Sequence, residues 1–312
     1  MKQLTSGLAR PLIFLTLVVT LASNCVAGYI FTTVIAPGTP LGINNAGQIV
    51  GQAGNLGFLY NAGTLTTINP SIESGGQTLS SPSSANGIND AGEIVGLSGI
   101  GYNTWLDSGG NFSNVTQGQD PATYGKGSAV ATGINNSGEI VGYYSTNQYL
   151  GFLDNSGVFT TISDPLADGE TIANGINNSG QVVGWYLGIA GAKYGFVETA
   201  GIYTTISDPG AGVTVATGIN DSGQIVGYYE GAHSIYYGFI YSNGAFTTIS
   251  AGGENTFLTG INNSGQIVGY YDGIGITETG FVATPNASPE PSTLATAMAA
   301  ILVVACLQLR KH

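Results

Sequence analysis

The chain has 312 residues, of which 43% are apolar and only 8% charged, and glycine is its commonest residue with 50 copies. That composition supports a packed core, excludes a disordered chain, and favours strands and tight turns over long solvated helices. Residues 28–288 hold 17 of the 18 carboxylates against two lysines, Lys126 and Lys193, a formal charge of −15 that repels phosphate backbones and argues against a nucleic-acid partner.

Lys2 and Arg10 precede the apolar run from Pro11 to Ala22, and small residues follow as far as Ala27. This is the layout of a secretory signal peptide over residues 1–27, with cleavage expected after Ala27. Acylation at Cys25 is the weaker alternative, because Asn24 stands where lipoprotein processing needs a small side chain. Cys25 and Cys306, the two cysteines, both fall in terminal apolar segments, so the body between them offers no disulfide framework, cysteine nucleophile or thiolate metal site.

One decapeptide recurs six times across the body: GINNAGQIVG from Gly42, GINDAGEIVG from Gly87, GINNSGEIVG from Gly133, GINNSGQVVG from Gly175, GINDSGQIVG from Gly218 and GINNSGQIVG from Gly260. Its starts are 45, 46, 42, 43 and 42 residues apart, the signature of one repeated supersecondary unit. Each unit carries four short strand signals; in the fifth these run from Val215 to Asn220, Gln224 to Tyr229, Tyr237 to Tyr241 and Ala245 to Ser250. Asn-Asp-Ser-Gly and Ser-Asn-Gly connect them as hairpins, since Asn and Gly tolerate positive φ.

Four strands in about 43 residues predict an all-β, six-bladed propeller over residues 28–284. The phase of the repeat predicts its closure. Phe31 to Val34 reads as a fourth strand with no first three before it, and the sixth unit stops after its third strand at Gly280-Phe281-Val282. Joining the two ends completes the sixth blade; an open β-solenoid is the alternative with the same period but no reason for this phase.

Residues 285–312 form a separate tail: Ser288-Pro289-Glu290-Pro291-Ser292-Thr293, an apolar stretch from Leu294 to Leu309, then Arg310-Lys311-His312. The stretch is short for a membrane span, although terminal Arg and Lys can snorkel, and its charges predict a cytoplasmic C-terminus in the inner membrane. An ordinary C-terminal anchor is one reading. The Pro289-Glu290-Pro291 triplet, apolar stretch and Arg310-Lys311 together resemble the PEP-CTERM sorting signal of Gram-negative bacteria. That resemblance implies recognition by an exosortase-type processing enzyme, and a mature protein associated with exopolysaccharide and biofilm matrix at the cell surface. The repeats are similar to HAF-type extracellular repeats of bacterial surface proteins, with the His-Ala-Phe element replaced by Leu56-Gly57-Phe58, Tyr194-Gly195-Phe196 and equivalents. That family implies no general activity.

Several residues are candidates for chemistry. Glu93 and Glu139 interchange with Gln, and Asp90 and Asp221 with Asn, at fixed repeat positions, which fits hydrogen bonding rather than acid–base work. Asp120, Asp168, Glu170, Glu230, Glu254 and Asp272 lie in variable loops, where sites are commonly grafted. His233 is the body's one histidine and has no nucleophile-elbow motif to accompany it. Aromatic pairs close the second strand of four units, and alternation sends the members of each pair to opposite sheet faces, so one ring per blade, Tyr144, Tyr186, Tyr229 and Tyr271, is the candidate sugar-stacking set. Packing between blades is the alternative role for them.

The expected function is a noncatalytic exported surface or matrix protein contacting exopolysaccharide, with no catalytic residue, cofactor or metal assigned. A polysaccharide-active hydrolase or lyase using loop carboxylates is the competing class. A calcium-stabilised adhesin is a third.

Overall fold

The local unit is set by the decapeptide. Within Asn135-Asn136-Ser137-Gly138, Gly138 N–H donates to Asn135 O at 3.1 Å and Asn135 N–H to Glu139 O at 3.0 Å, a tight turn whose last residue sits at φ 77°. Only glycine adopts that conformation without strain, which is why every copy keeps it. The Asn135 side chain locks the turn from inside, its Oδ1 accepting from Ser137 N–H and Glu139 N–H at 3.0 Å each. The hairpin so formed joins the first two strands of a blade.

In the computed structural model the described residues are 25–26, 28–33, 38–70, 72–74, 77–79, 83–98, 103–115 and 129–286. Five blades each use four consecutive strands. Blade 1 comprises Thr39–Ile43, Ile49–Ala53, Leu56–Asn61 and Thr64–Ile68; blade 2 comprises Ser83–Ile88, Ile94–Ser98, Asn103–Ser108 and Asn111–Asn114. Blade 3 runs Ala129–Ile134, Ile140–Ser145, Tyr149–Asn155 and Val158–Ile162, and blade 4 Thr171–Ile176, Val182–Leu187, Lys193–Thr199 and Ile202–Ile206. Blade 5 runs Thr214–Ile219, Ile225–Glu230, Tyr236–Ser242 and Ala245–Ile249. All pairings within these blades are antiparallel.

Blade 6 closes the ring. Asn255–Ile261, Ile267–Gly273 and Ile276–Pro285 supply three strands, and Tyr29–Thr33 from the other end of the chain pairs antiparallel with the third, Phe31 opposite Ala283 and Thr33 opposite Phe281. This is the closure that the permuted repeat phase predicts, with Val34 outside the described residues. The protein is a six-bladed β-propeller. Cys25–Val26 adds a short fifth strand beside Tyr29 and Ile30, which cleavage after Ala27 would remove. Residues 1–24 and 287–312, with the expected leader and sorting tail, lie outside the described residues; among those described, no helix is long and apolar enough to cross a membrane.

Blades pack face to face through six apolar clusters. Val95, Ala131, Ile140, Tyr144 and Phe152 fill the space between blades 2 and 3, and Val268 with Ile43, Ile49 and Phe58 fills the last, between blades 6 and 1. The aromatic of each third strand, Phe58, Trp105, Phe152, Phe196, Phe239 or Phe281, is at most 1% exposed and lies against the glycine that ends the decapeptide. In blade 3 a Cβ on Gly142 would meet Phe152 Cε1 at 2.8 Å, so the motif's last glycine is the seat of that ring.

Candidate functional site

The axis is built from one side chain per blade, layer by layer. The first asparagine after the isoleucine, 3% exposed in every blade, donates through Nδ2 to the backbone carbonyl of its counterpart in the next blade. The bonds run Asn44 to Asn89, Asn89 to Asn135, Asn135 to Asn177, Asn177 to Asn220, Asn220 to Asn262 and Asn262 back to Asn44, at 3.0 to 3.2 Å. This closed ring ties all six blades, including the joint made between the chain's two ends.

The next residue forms a second ring at the mouth of that face. Backbone N–H groups of Asn45, Asp90, Asn136, Asn178, Asp221 and Asn263 each donate to the following member's Oδ1 at 2.7 to 2.9 Å. Asp90 and Asp221 stand three blades apart, on opposite sides. Asp90 Oδ2 accepts from Asn45 and Asn136, and Asp221 Oδ2 from Asn178 and Asn263, so each of the four amides has one carboxylate partner. Partial burial acts to raise both carboxyls, but the converging backbone and amide hydrogen bonds outweigh it and hold both below the usual aspartate value. Their interchange with asparagine is therefore explained by hydrogen bonding within this ring. Glu93 and Glu139 likewise accept from the buried Asn89 and Asn135 amides at 2.7 Å, as Gln48, Gln181, Gln224 and Gln266 do in their blades.

Beyond these rings the isoleucines Ile43, Ile88, Ile134, Ile176, Ile219 and Ile261, 6 to 8% exposed, crowd the axis. Above them every innermost strand is bulged, between Ala131 and Gly133 in blade 3 and at the same point elsewhere. The extra residue re-aims its side chain across the blade gap. Asn86 and Asn174 donate to Ala131 O and Ala216 O at 2.7 Å, and Thr132, Thr217 and Thr259 to Ala173 O, Leu258 O and Pro40 O at 2.8 to 2.9 Å. Leu41, at this position in blade 1, has no donor.

These bulge residues floor a cavity of about 420 Å³ that opens on the face opposite the aspartate ring. Its wall comes from the residue following the last decapeptide glycine: Gln52, Leu97, Tyr143, Trp185 and Tyr228 in blades 1 to 5, with Ser84, Val130 and Val215 beside them. The funnel is thus aromatic on one side and amide- and aliphatic-lined on the other. Tyr143 packs edge-on to Tyr149 at 5.7 Å between centroids, Tyr228 to Tyr236 at 5.9 Å and to Phe257 at 5.0 Å, and Lys193 Nζ lies 4.2 Å from the Trp185 ring centroid. Burial pushes the Tyr228 hydroxyl above the usual tyrosine value.

The funnel aromatics are not the expected set. Tyr144 and Tyr186 are buried between blades, and their hydroxyls share hydrogen bonds with Thr161 and Thr205 of the outermost strands at 3.2 and 3.1 Å. Tyr229 reaches Thr248 in the same way at 3.0 Å and packs into the cluster between blades 4 and 5, as Tyr271 does into that between blades 5 and 6. These four rings pack between blades, whereas Tyr143, Trp185 and Tyr228 line the cavity and Tyr270 stacks on Phe257. Alternation separates the members of a pair correctly; it does not say which one leans inward, because both faces of a propeller blade are covered by neighbours.

The loop acids are dispersed. Asp168 and Glu170 flank blade 4 through backbone bonds with Leu187, Glu230 bonds Val213 O in blade 5, and Asp272 accepts from Asn255 Nδ2 at 2.7 Å in blade 6. None of these, nor Glu254, lines the cavity. Asp120 lies outside the described residues. His233 is an exposed loop residue at φ 62°. Among the described residues no group of three or more His, Cys, Asp or Glu is placed to hold a metal ion.

No family model and no curated protein matches the chain. Among solved structures, it is similar to a gluconolactonase from Xanthomonas campestris, with a TM-score of 0.53 and 11% identity over 83% of this chain and 90% of that one, a likeness that shows the fold. A fungal lectin from Aleuria aurantia, also a six-bladed propeller, aligns at a TM-score of 0.46 and 12% identity over 86% of this chain and all of that one.

Proposed function

We propose that the protein is a noncatalytic, exported surface or matrix module that holds a glycan in the aromatic funnel. The observation that carries this reading is the funnel itself: Tyr143, Trp185 and Tyr228 on one side, with Gln52, Asn86 and Asn174 amides on its other wall and floor. Aromatic rings offer apolar surface to the C–H faces of sugars, while amides meet hydroxyls, and such a concave mixture is how small polar ligands are oriented. The reading is supported by the make-up of the described lining, which is aromatic, amide, hydroxyl and aliphatic, the mixture that holds and orients a polar ligand. On the same reading the tail with Pro289, Glu290, Pro291, Arg310 and Lys311 serves an exosortase-type enzyme and delivers the propeller to an exopolysaccharide matrix.

A glycan array with the purified protein tests the binding claim. The expected result is retention of at least one oligosaccharide class, weakened at least about tenfold in Trp185→Ala or Tyr228→Ala, the loss of one stacking contact. Binding to no glycan, or binding indifferent to both substitutions in folded protein, contradicts it. Mass spectrometry of the native C-terminus tests delivery, an intact Leu294 to Leu309 tail on mature protein being the contrary result.

A further inference from the structure

Lys193 stands out beside the funnel, against the wall residue Trp185. Blades 3, 4 and 5 share one register: Tyr149 lies opposite Ser145, Lys193 opposite Leu187 and Tyr236 opposite Glu230. In blades 3 and 5 the tyrosine so placed packs edge-on against the wall aromatic, Tyr143 or Tyr228. Propeller packing is therefore satisfied there by tyrosine. Blade 4 instead carries a lysine, with its ammonium over the Trp185 ring at 4.2 Å. It is the one Lys or Arg among the described residues, on a body of formal charge −15. Yet its ammonium meets the indole and no carboxylate of the described residues.

In so acidic a protein, a cation at a surface without structural purpose would be expected to find a carboxylate. One held on an indole at the edge of a cavity keeps its hydrogen-bonding capacity, since a cation–π contact uses the charge without consuming its N–H donors. Salt screens the remote carboxylates over about 8 Å, so a ligand in the funnel responds mainly to the nearest charge.

Building on the glycan-binding reading, we propose that the funnel selects acidic saccharides, with the sugar ring against the wall aromatics and its carboxylate paired to Lys193 Nζ. Uronate-bearing polysaccharides are the class this fits.

The test is isothermal titration of the full purified protein with three matched pairs of oligosaccharides of equal length and linkage: glucuronate against glucose, galacturonate against galactose, and mannuronate against mannose. For at least one pair the acidic member is expected to bind about tenfold more tightly, the worth of one charge-assisted hydrogen bond. Lys193→Gln is expected to bring that ratio close to one while leaving the neutral member's affinity within about twofold, and Lys193→Arg to preserve the preference. Equal binding of acidic and neutral members, or a preference that survives Lys193→Gln, overturns the acidic-sugar inference and leaves glycan binding standing. Binding of no member of any pair overturns both. Thermal melts of each variant verify that the propeller is intact.

Discussion

Replacing Asn135 with alanine removes one link of the inner ring, and the structure lets the cost be worked out. The amide donates to Glu139 Oε2 at 2.7 Å and to Asn177 O at 3.2 Å, and its oxygen accepts from the N–H groups of Ser137 and Glu139. The carboxylate bond is worth about 1.5 to 3 kcal/mol and each of the others about 1 kcal/mol; with water reaching part of the turn, the total is about 3 to 5 kcal/mol. At about 2 to 4 °C per kcal/mol for a domain of this size, the melting temperature should fall by about 6 to 20 °C. Asn136→Ala is the matched control, since Asn136 is exposed and its side chain gives up only rim bonds, one from Asp90 N–H and one to Asp90 Oδ2, so its cost should be about 1 kcal/mol. Urea unfolding of wild type and both variants measures the difference. An Asn135→Ala protein within about 2 °C of wild type would refute the ring as a stabilising device.

Acid pH should loosen the outer ring: Asp90 and Asp221 have folded-state values below their unfolded ones, so their stabilisation is present above the unfolded value and lost as pH falls through the folded one. Melting curves of Asp90→Asn against wild type should therefore differ at pH 7 and draw together as the pH falls below the ordinary aspartate range; a constant gap would contradict this. Asp154 and Asp164 are raised by burial and carry the opposite sign, which is why the variant comparison, not the wild-type curve alone, isolates the ring. Gly142→Ala places a Cβ against Val130 O and 2.8 Å from Phe152 Cε1 and should cost about 3 kcal/mol, read by the same unfolding assay. Phe31→Ala removes the ring that meets Phe281 at 5.3 Å in the closing strand, and should lower stability by about 2 kcal/mol while raising proteolysis at the sixth blade.

The repeat and its phase made the closed propeller legible, because GINNSGQIVG encodes a turn, a buried strand pair and a seat for the third-strand aromatic at fixed spacing. The interchange of Asp90 and Asp221 with asparagine also pointed correctly to hydrogen bonding. Their opposition across the ring did not show, since it depends on which blades face one another. The bulge at Thr132 and its equivalents was silent too, for a bulge residue of type Leu, Asn or Thr has no local signature, and without it the inward ring of each aromatic pair could not be told from the outward one. The placement of Lys193 is illegible in the sequence for a related reason: it comes from the cross-strand register that sets it beside Trp185 where Tyr149 and Tyr236 stand in adjacent blades.

The chain has two tryptophans, and they occupy opposite environments: Trp105 is fully buried in blade 2, while Trp185 lines the funnel. Selective tryptophan excitation during a glycan titration therefore reads the funnel against a constant background. Occupation of the funnel predicts a saturable shift of Trp185 emission that is abolished in Trp185→Phe. Saturable glycan binding with no change in emission, or a change that persists in Trp185→Phe, would place the ligand elsewhere on the propeller and contradict the account.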